Sequence, residues 1–389
     1  MKPILDSIHK SSLILRLAEM GFSPEAIKSY IYCMLAPYFD DKSNLRDNLL
    51  GRLSVECVNV MRIQTTLRGN DFLRRIINIY RDAYNSDPEG TLSGLVGFDE
   101  STERANKVFC NACIFEINKG NLDLEKFRFE CFRNIGDVAE ACLQPCIREA
   151  LMMILLSRGE RPTKEAIMKL TFGEVVQHLN QLVGMADLLA PDPWKVSVSQ
   201  WRNIAQHHSS EVVSENIRVW YGKSPPYKSL VLTRGQTFQV AREISLRLAV
   251  FKAAKTLFIF EHTKELPKFY SSKKRGQETY EETILDLSTV FAVQGFKLVK
   301  AEVENNLVNI SLLDLRPGSD HKRIVHCSQF VVTAWINFRQ PKVVVNYLDS
   351  TGMHRWSFIA TEEGLKQVVT EIGVDFEHLA EFIEFKQAN

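Results

Sequence analysis

Neither sign of charge dominates this 389-residue chain, in which 48 lysines and arginines face 47 aspartates and glutamates for a net charge of +1. That balance excludes a protein that coats nucleic acid by bulk electrostatics, although it leaves room for a local basic site. Long hydrophobic runs are missing too. No segment reaches the ~18 apolar residues that span a bilayer, and the most apolar stretch, Ala150–Leu156, is a single helical patch. The N-terminal segment carries Asp6, His9 and Lys10 inside its apolar pattern. It lacks the unbroken apolar centre of a signal peptide, so the expected location is the cytoplasm, with no membrane contact. Several enzyme signatures are absent: no P-loop, no dinucleotide-binding glycine fingerprint, no HExxH and no GxSxG. Internal repeats and low-complexity tracts are lacking as well, and an aromatic content of 10% speaks against disorder.

What remains is an ordinary globular composition, with 45% hydrophobic and 24% charged residues. At roughly 100–200 residues per domain, two or three domains are expected. The eight cysteines do not suggest a disulfide framework, which belongs to small secreted chains. Cys110-x-x-Cys113 and Cys142-x3-Cys146 have spacings that raise a zinc site. Both pairs lie in helix-like sequence rather than in glycine-rich knuckles, so thiols without metal are expected.

The fold class predicted is mainly α with a C-terminal α+β domain. Residues 1–122 read as a helical N-terminal domain, with a loop over Ser86–Ser101, where Gly, Ser, Pro and Asp cluster. Residues 123–268 read as a helical bundle containing a β-hairpin. Its segments are a helix through Leu124–Arg133, another through Asp137–Leu156 that Pro145 kinks or restarts, and a hairpin over Asn216–Thr233 turning at Pro225-Pro226. A long closing helix follows, with Phe238, Ala241, Ile244, Leu248, Phe251 and Leu257 on one face. The polar, basic segment Phe269–Glu278, with Lys273, Lys274 and Arg275, reads as a linker. Residues 279–389 read as a helix, five strand-like runs forming an antiparallel sheet, and two closing helices, Glu362–Glu371 and Phe376–Phe385. One of those runs is Ile324–Phe338.

The sharpest pattern is Trp201-Arg202-Asn203-Ile204-Ala205-Gln206-His207-His208. It places four residues between Arg202 and His207 in helix-compatible sequence that Ser199 can cap. Asn203 and His207 are i and i+4, on one face. Arg202 lies roughly 140° from His207 around the helix, but its long side chain can swing to the same cleft. The spacing alone is common by chance among nine histidines. Arg316 and His321 show it too, across a Pro317-Gly318 turn.

The segment resembles the signature of the HEPN superfamily, helical domains whose motif is Arg, four to six residues, then His, with a polar residue commonly following the Arg. Asn203 fits that place, and Lys169–Leu182 is similar to a helix start found upstream of the motif. The resemblance covers about 140 residues of the central domain and neither flank. It implies a metal-independent endoribonuclease acting as a homodimer on an RNA substrate, with no cofactor. His207 would be the general acid or base, Arg202 the stabiliser of the phosphorane charge, and Asn203 the orienting group. It further implies a prokaryotic toxin or antiviral, abortive-infection setting, with a trigger or regulator bound by the N- or C-terminal domain.

The chemistry is consistent with those roles. Cleavage of RNA through its own 2′-hydroxyl needs a proton acceptor, a proton donor and charge stabilisation, which imidazole and guanidinium supply. His208 offers a second register, with five intervening residues. Glu174 and His178, i and i+4 on the preceding helix, are auxiliary candidates. Some family toxins carry His-x-Tyr at this point and are modified there, but Ser209 stands here. The alternative is a non-catalytic, dimeric HEPN-like binding or scaffold protein with a ligand- or protein-sensing C-terminal domain.

Overall fold

A computed structural model of the chain describes residues 5–6, 9, 12–47, 52–66, 68–114, 122–222, 224–269, 280–316, 321–369 and 374–388. The proposed linker beyond Phe269, with its Lys273, Lys274 and Arg275, lies outside them.

Numbered along the chain, the first helices are α1 (Leu13–Glu19), α2 (Pro24–Leu35), α3 (Gly69–Ser86), α4 (Pro88–Ile114) and α5 (Leu124–Asp137). A π turn, Val138–Leu143, leads into α6 (Gln144–Ser157), and α7 (Lys164–Lys169), α8 (Phe172–Val183) and α9 (Val198–Gln206) follow. Strands β1 (Ser210–Val213), β2 (Asn216–Tyr221) and β3 (Lys228–Leu232) precede α10 (Arg234–Glu261) and α11 (Tyr280–Val293). Then come β4 (Phe296–Glu304), β5 (Leu307–Asp314), α12 (His321–Ser328), α13 (Phe330–Phe338), β6 (Lys342–Leu348), β7 (His354–Thr361), α14 (Glu362–Val368) and β8 (Ile383–Gln387).

The chain is thus a mainly helical N-terminal region followed by a domain with a mixed, open sheet. Contacts gather it into two compact units. Met1–Ala36, Leu45–Val58 and Glu278–Asn389 form the sheet unit; Pro37–Asn44 and Asn59–Gln277 form the helical unit. Residues 1–122, read from sequence as one domain, contribute to both.

In the helical unit, α3, α4, α6 and α10 pack together, while α9 packs on α5 and on β2. Composition favours a loop over Ser86–Ser101, but the structure has the helix α4 there. Asp87 starts it by accepting from the Gly90 N–H at 2.9 Å, and Pro88 needs no such bond at a helix start. Gly94 is a packing residue: a Cβ there would stand 3.2 Å from the methyls of Met152 and Met153 on α6. The interruption predicted at Pro145 comes as the π turn just before it. The hairpin is present as β2–β3, antiparallel from Ile217↔Leu232 to Tyr221↔Lys228, with β1 added on its other edge.

The five-stranded sheet of the other unit runs in order β4-β5-β6-β7-β8. It is mixed rather than antiparallel, because β5 and β6 are parallel while the remaining neighbours are antiparallel. Parallel neighbours need a crossover, and the Ile324–Phe338 run supplies it as helices α12 and α13 instead of a strand. Its β-branched and aromatic residues suit a strand locally, yet Phe330, Val331, Val332, Ala334 and Trp335 are all buried as a helix laid over the sheet. The closing helix expected over Phe376–Phe385 is likewise replaced, by a short 3₁₀ turn and the edge strand β8 paired to β7.

A buried ion pair closes the C-terminal end of β5. Asp314 accepts from Arg323 (2.9 Å) and from the Tyr347 hydroxyl (3.1 Å), and the Arg323 guanidinium lies 3.7 Å from the Phe296 ring centroid. His326 accepts from the same guanidinium at 3.4 Å. Burial first, then the charges of Arg323, Lys28 and Arg316, outweigh Asp314 and push this imidazole down to about 4. An unfolded histidine titrates near 6.5. Between those values the unfolded chain binds the extra proton, so acidification from pH 7 to pH 4 removes stability. Urea titrations are expected to show a lower midpoint at pH 5 than at pH 7, with a flatter dependence in His326→Leu.

Candidate functional site

The site forms where α9 ends. Ser197, not Ser199, caps this helix, accepting from the Gln200 N–H at 3.3 Å; the Ser199 hydroxyl bonds to Ser197 at 3.0 Å. Trp201, Ile204 and Ala205 are buried and anchor α9. Gly136 on α5 permits close approach, since a Cβ there would stand 3.2 Å from that of Ala205. These contacts fix the outward face, where Arg202 and Asn203 are half-buried and His207 and His208 exposed.

The C-terminus of α9 is a Schellman motif. His207 is the cap residue, its N–H bonded to the Asn203 carbonyl at 2.9 Å. Beyond it the Ser209 N–H reaches the Ile204 carbonyl at 3.0 Å and the His208 N–H reaches that of Ala205 at 3.5 Å. His208 takes the left-handed position that glycine usually fills, with φ +50°.

One carboxylate organises the polar face, and the motif does not contain it. Glu140, in the π turn, accepts from Arg202 Nη2 at 2.8 Å and from Gln206 Nε2 at 2.7 Å. Arg202 Nη1 also donates to Asn203 Oδ1 at 3.1 Å. The guanidinium is thus held from two sides, by Glu140 and by Asn203, which restrains its rotation at the edge of the cleft. The sequence signal for Glu140 is slight: a lone carboxylate inside the run Val138-Ala139-Glu140-Ala141-Cys142-Leu143. A π turn is a frequent site of function, because its extra residue re-aims side chains.

Glu140, Arg202, Asn203, His207 and His208 line one open cleft of about 1420 Å³. Typical small-molecule pockets measure roughly 300–1,000 Å³, so this one suits a polymer or a macromolecular partner. Its lining also includes Arg148, Lys169 and Glu174 from the α6–α8 region, and Trp220, Tyr221 and Tyr227 from the hairpin. Glu174 lies in the cleft as anticipated, but it is the third residue of a capping box with Thr171, accepting that N–H at 2.7 Å. His178, one turn on, is exposed and is not among the residues lining the cleft.

Cys142 and Cys146 are buried, and burial pushes the Cys146 thiol up to about 12, so it is held protonated. Cys110 and Cys113 fall within α4, and their side chains lie outside what is described. Among the described residues, no three His, Cys, Asp or Glu side chains converge as metal ligands. No family model, curated protein or solved structure matches this chain.

Proposed function

We propose that the protein is a metal-independent endoribonuclease of the HEPN type that cleaves single-stranded or loop RNA. The observation that carries this reading is the convergence of Arg202, Asn203 and His207 on one open cleft, with the guanidinium oriented by Glu140.

Each group has a chemical task. The Arg202 fork binds the non-bridging oxygens of the scissile phosphate and stabilises the dianionic phosphorane. His207 is exposed, as a group that exchanges protons with substrate and water must be. As base it takes the proton of the 2′-hydroxyl, whose oxygen attacks the adjacent phosphorus. As acid it protonates the departing 5′-oxygen. Asn203, bonded to Arg202, keeps that side chain in register. A homodimer across this face supplies two histidines, one for each proton transfer.

The setting we propose is a prokaryotic toxin or antiviral system, in which the sheet unit or the N-terminal segments bind a trigger or restrain the nuclease. No helix among the described residues is long and apolar enough to cross a membrane.

The test is made in cells, because a restrained nuclease is silent without its trigger. Wild type, Arg202→Ala, His207→Ala and His208→Ala are induced in parallel, total RNA is sequenced for new ends, and matched cultures are challenged with phage. New ends and growth arrest that depend on Arg202 and His207 support the nuclease. Protection by all four proteins alike, with no new RNA ends, rejects it in favour of the non-catalytic binding protein.

A further inference from the structure

A second, smaller recess opens beside the cleft in the same unit. It measures about 130 Å³, and its walls include Arg128, Phe129, Gly136, Asp137, Gln206 and His208. A cavity of about 150 Å³ holds one benzene ring, so this recess has the size for one flat ring and not for a drug-sized molecule.

Its walls offer aromatic faces. Phe129 is 48% exposed, and its ring lies 7° from parallel to the His208 imidazole, with centroids 6.5 Å apart. At 6.5 Å the two rings are farther apart than rings in direct face-to-face contact, and both side chains are exposed, so a third flat ring has a face to stack on. His208 keeps a side chain in the left-handed position of the Schellman motif, where glycine would cost less. An exposed imidazole therefore stands at a backbone position that costs it conformational energy.

The nearby cations do not mark a phosphate site. Arg128 is tied to Glu125 at 2.7 Å and to the Ser210 hydroxyl at 2.9 Å, and Arg133 is paired with Glu130 at 2.7 Å. The recess is therefore built for a ring rather than for an anion.

We propose that this recess binds one unpaired nucleobase of the strand whose phosphate lies at Arg202, with Phe129 and His208 as the stacking platform. The proposal rests on the nuclease reading, and His208, which borders both recess and cleft, links the two. It also divides the histidine pair: His207 moves protons and His208 holds a base.

The probe is a fluorescent ten-nucleotide single strand with 2′-O-methyl groups, which block the attacking hydroxyl and let binding to the full-length protein be read without cleavage. Stacking of one base on an aromatic side chain is worth roughly 5- to 150-fold in affinity. Phe129→Leu is expected to weaken binding by a factor in that range, and Phe129→Tyr to restore it. His208→Gly is expected to weaken binding while its urea midpoint rises or stays put, which separates base contact from folding. Wild-type affinity in both Phe129→Leu and His208→Gly would overturn the proposal. So would an adenosine monophosphate affinity equal to that of the strand, which would make the recess a free-nucleotide site. Unchanged binding in Phe129→Leu with loss of RNA cleavage in Arg202→Ala removes the recess and keeps the nuclease. Ring-dependent binding with cleavage indifferent to Arg202→Ala and His207→Ala keeps the recess and removes the nuclease. No strand binding by any of the proteins removes the recess, and the Arg202- and His207-dependence of RNA ends in cells decides the nuclease separately.

Discussion

Replacing Glu149 by leucine is expected to destabilise the helical unit by about 3–5 kcal/mol, the cost of leaving a buried charge without its partner. Lys255 on α10 is almost fully buried, and its ammonium lies 2.7 Å from Glu149 Oε2 on α6. Burial works against that charge, but Glu149 and then Asp99 outweigh it and hold the Lys255 ammonium above its ordinary range. The second Glu149 oxygen accepts from the Tyr80 hydroxyl on α3 at 2.8 Å. Removal of the carboxylate therefore orphans a buried cation and a buried hydroxyl at once. Asp99, 3.3 Å from the ammonium and 26% exposed, compensates only in part. The triple variant Glu149→Leu, Lys255→Met, Tyr80→Phe removes the three buried members of the network and leaves only the half-buried Asp99 and Thr102 at its edge. Apolar replacement of a whole buried network is often neutral or stabilising, so it is expected to recover most of the loss. Urea unfolding followed by circular dichroism reads both results; an unfolding free energy for Glu149→Leu within about 0.5 kcal/mol of wild type would show that the network is loosely solvated.

His207→Ala is expected to lower the RNA-cleavage rate by roughly 10²–10⁴-fold, the usual worth of one positioned acid–base group. Its side chain is exposed at the end of α9, so the fold and the urea midpoint stay as in wild type. Arg202→Lys keeps the charge but loses the planar fork that bonds Glu140 and Asn203 together. A loss of roughly 10²–10³-fold is expected, comparable with removal of one donor to a developing oxyanion. The fall should appear in kcat, because the phosphorane and not the ground-state phosphate is what the fork matches. His208→Ala should instead raise KM and leave kcat nearly untouched. Single-turnover cleavage of a labelled strand by triggered protein separates these cases. A loss in kcat with His208→Ala but not with His207→Ala would exchange the two histidines' roles.

Much of the fold follows from periodicity that the sequence displays openly. The long helix α10 and the hairpin β2–β3 have patterns with a single local solution, and they form as expected. Elements decided by distant partners are less legible. Phe330–Trp335 has strand-like residues, and only the parallel pairing of β5 with β6 requires a helix there. Gly90, Gly94 and Gly97 make Ser86–Ser101 look like a loop, although Gly94 serves the contact with α6. The candidate site divides in the same way. Arg202, Asn203 and His207 sit on one short helix, so their spacing already places them near each other. Glu140 is 62 residues from Arg202 along the chain, and no local pattern could announce that it clamps the guanidinium. Phe129 is similar: its side chain comes beside His208 where α5 and α9 approach closely at Gly136.

The chemical identity of the RNA ends tests the central claim most directly. RNA from induced cells is ligated with and without enzymatic opening of 2′,3′-cyclic phosphates, and triggered protein is assayed on a labelled strand in excess chelator. Attack by the 2′-hydroxyl under His207 and Arg202 leaves a 2′,3′-cyclic phosphate and a 5′-hydroxyl, forms equally well with chelator present, and disappears in His207→Ala. Ends with a 3′-hydroxyl and a 5′-phosphate, or cleavage that survives in both His207→Ala and Arg202→Ala, would contradict the assignment.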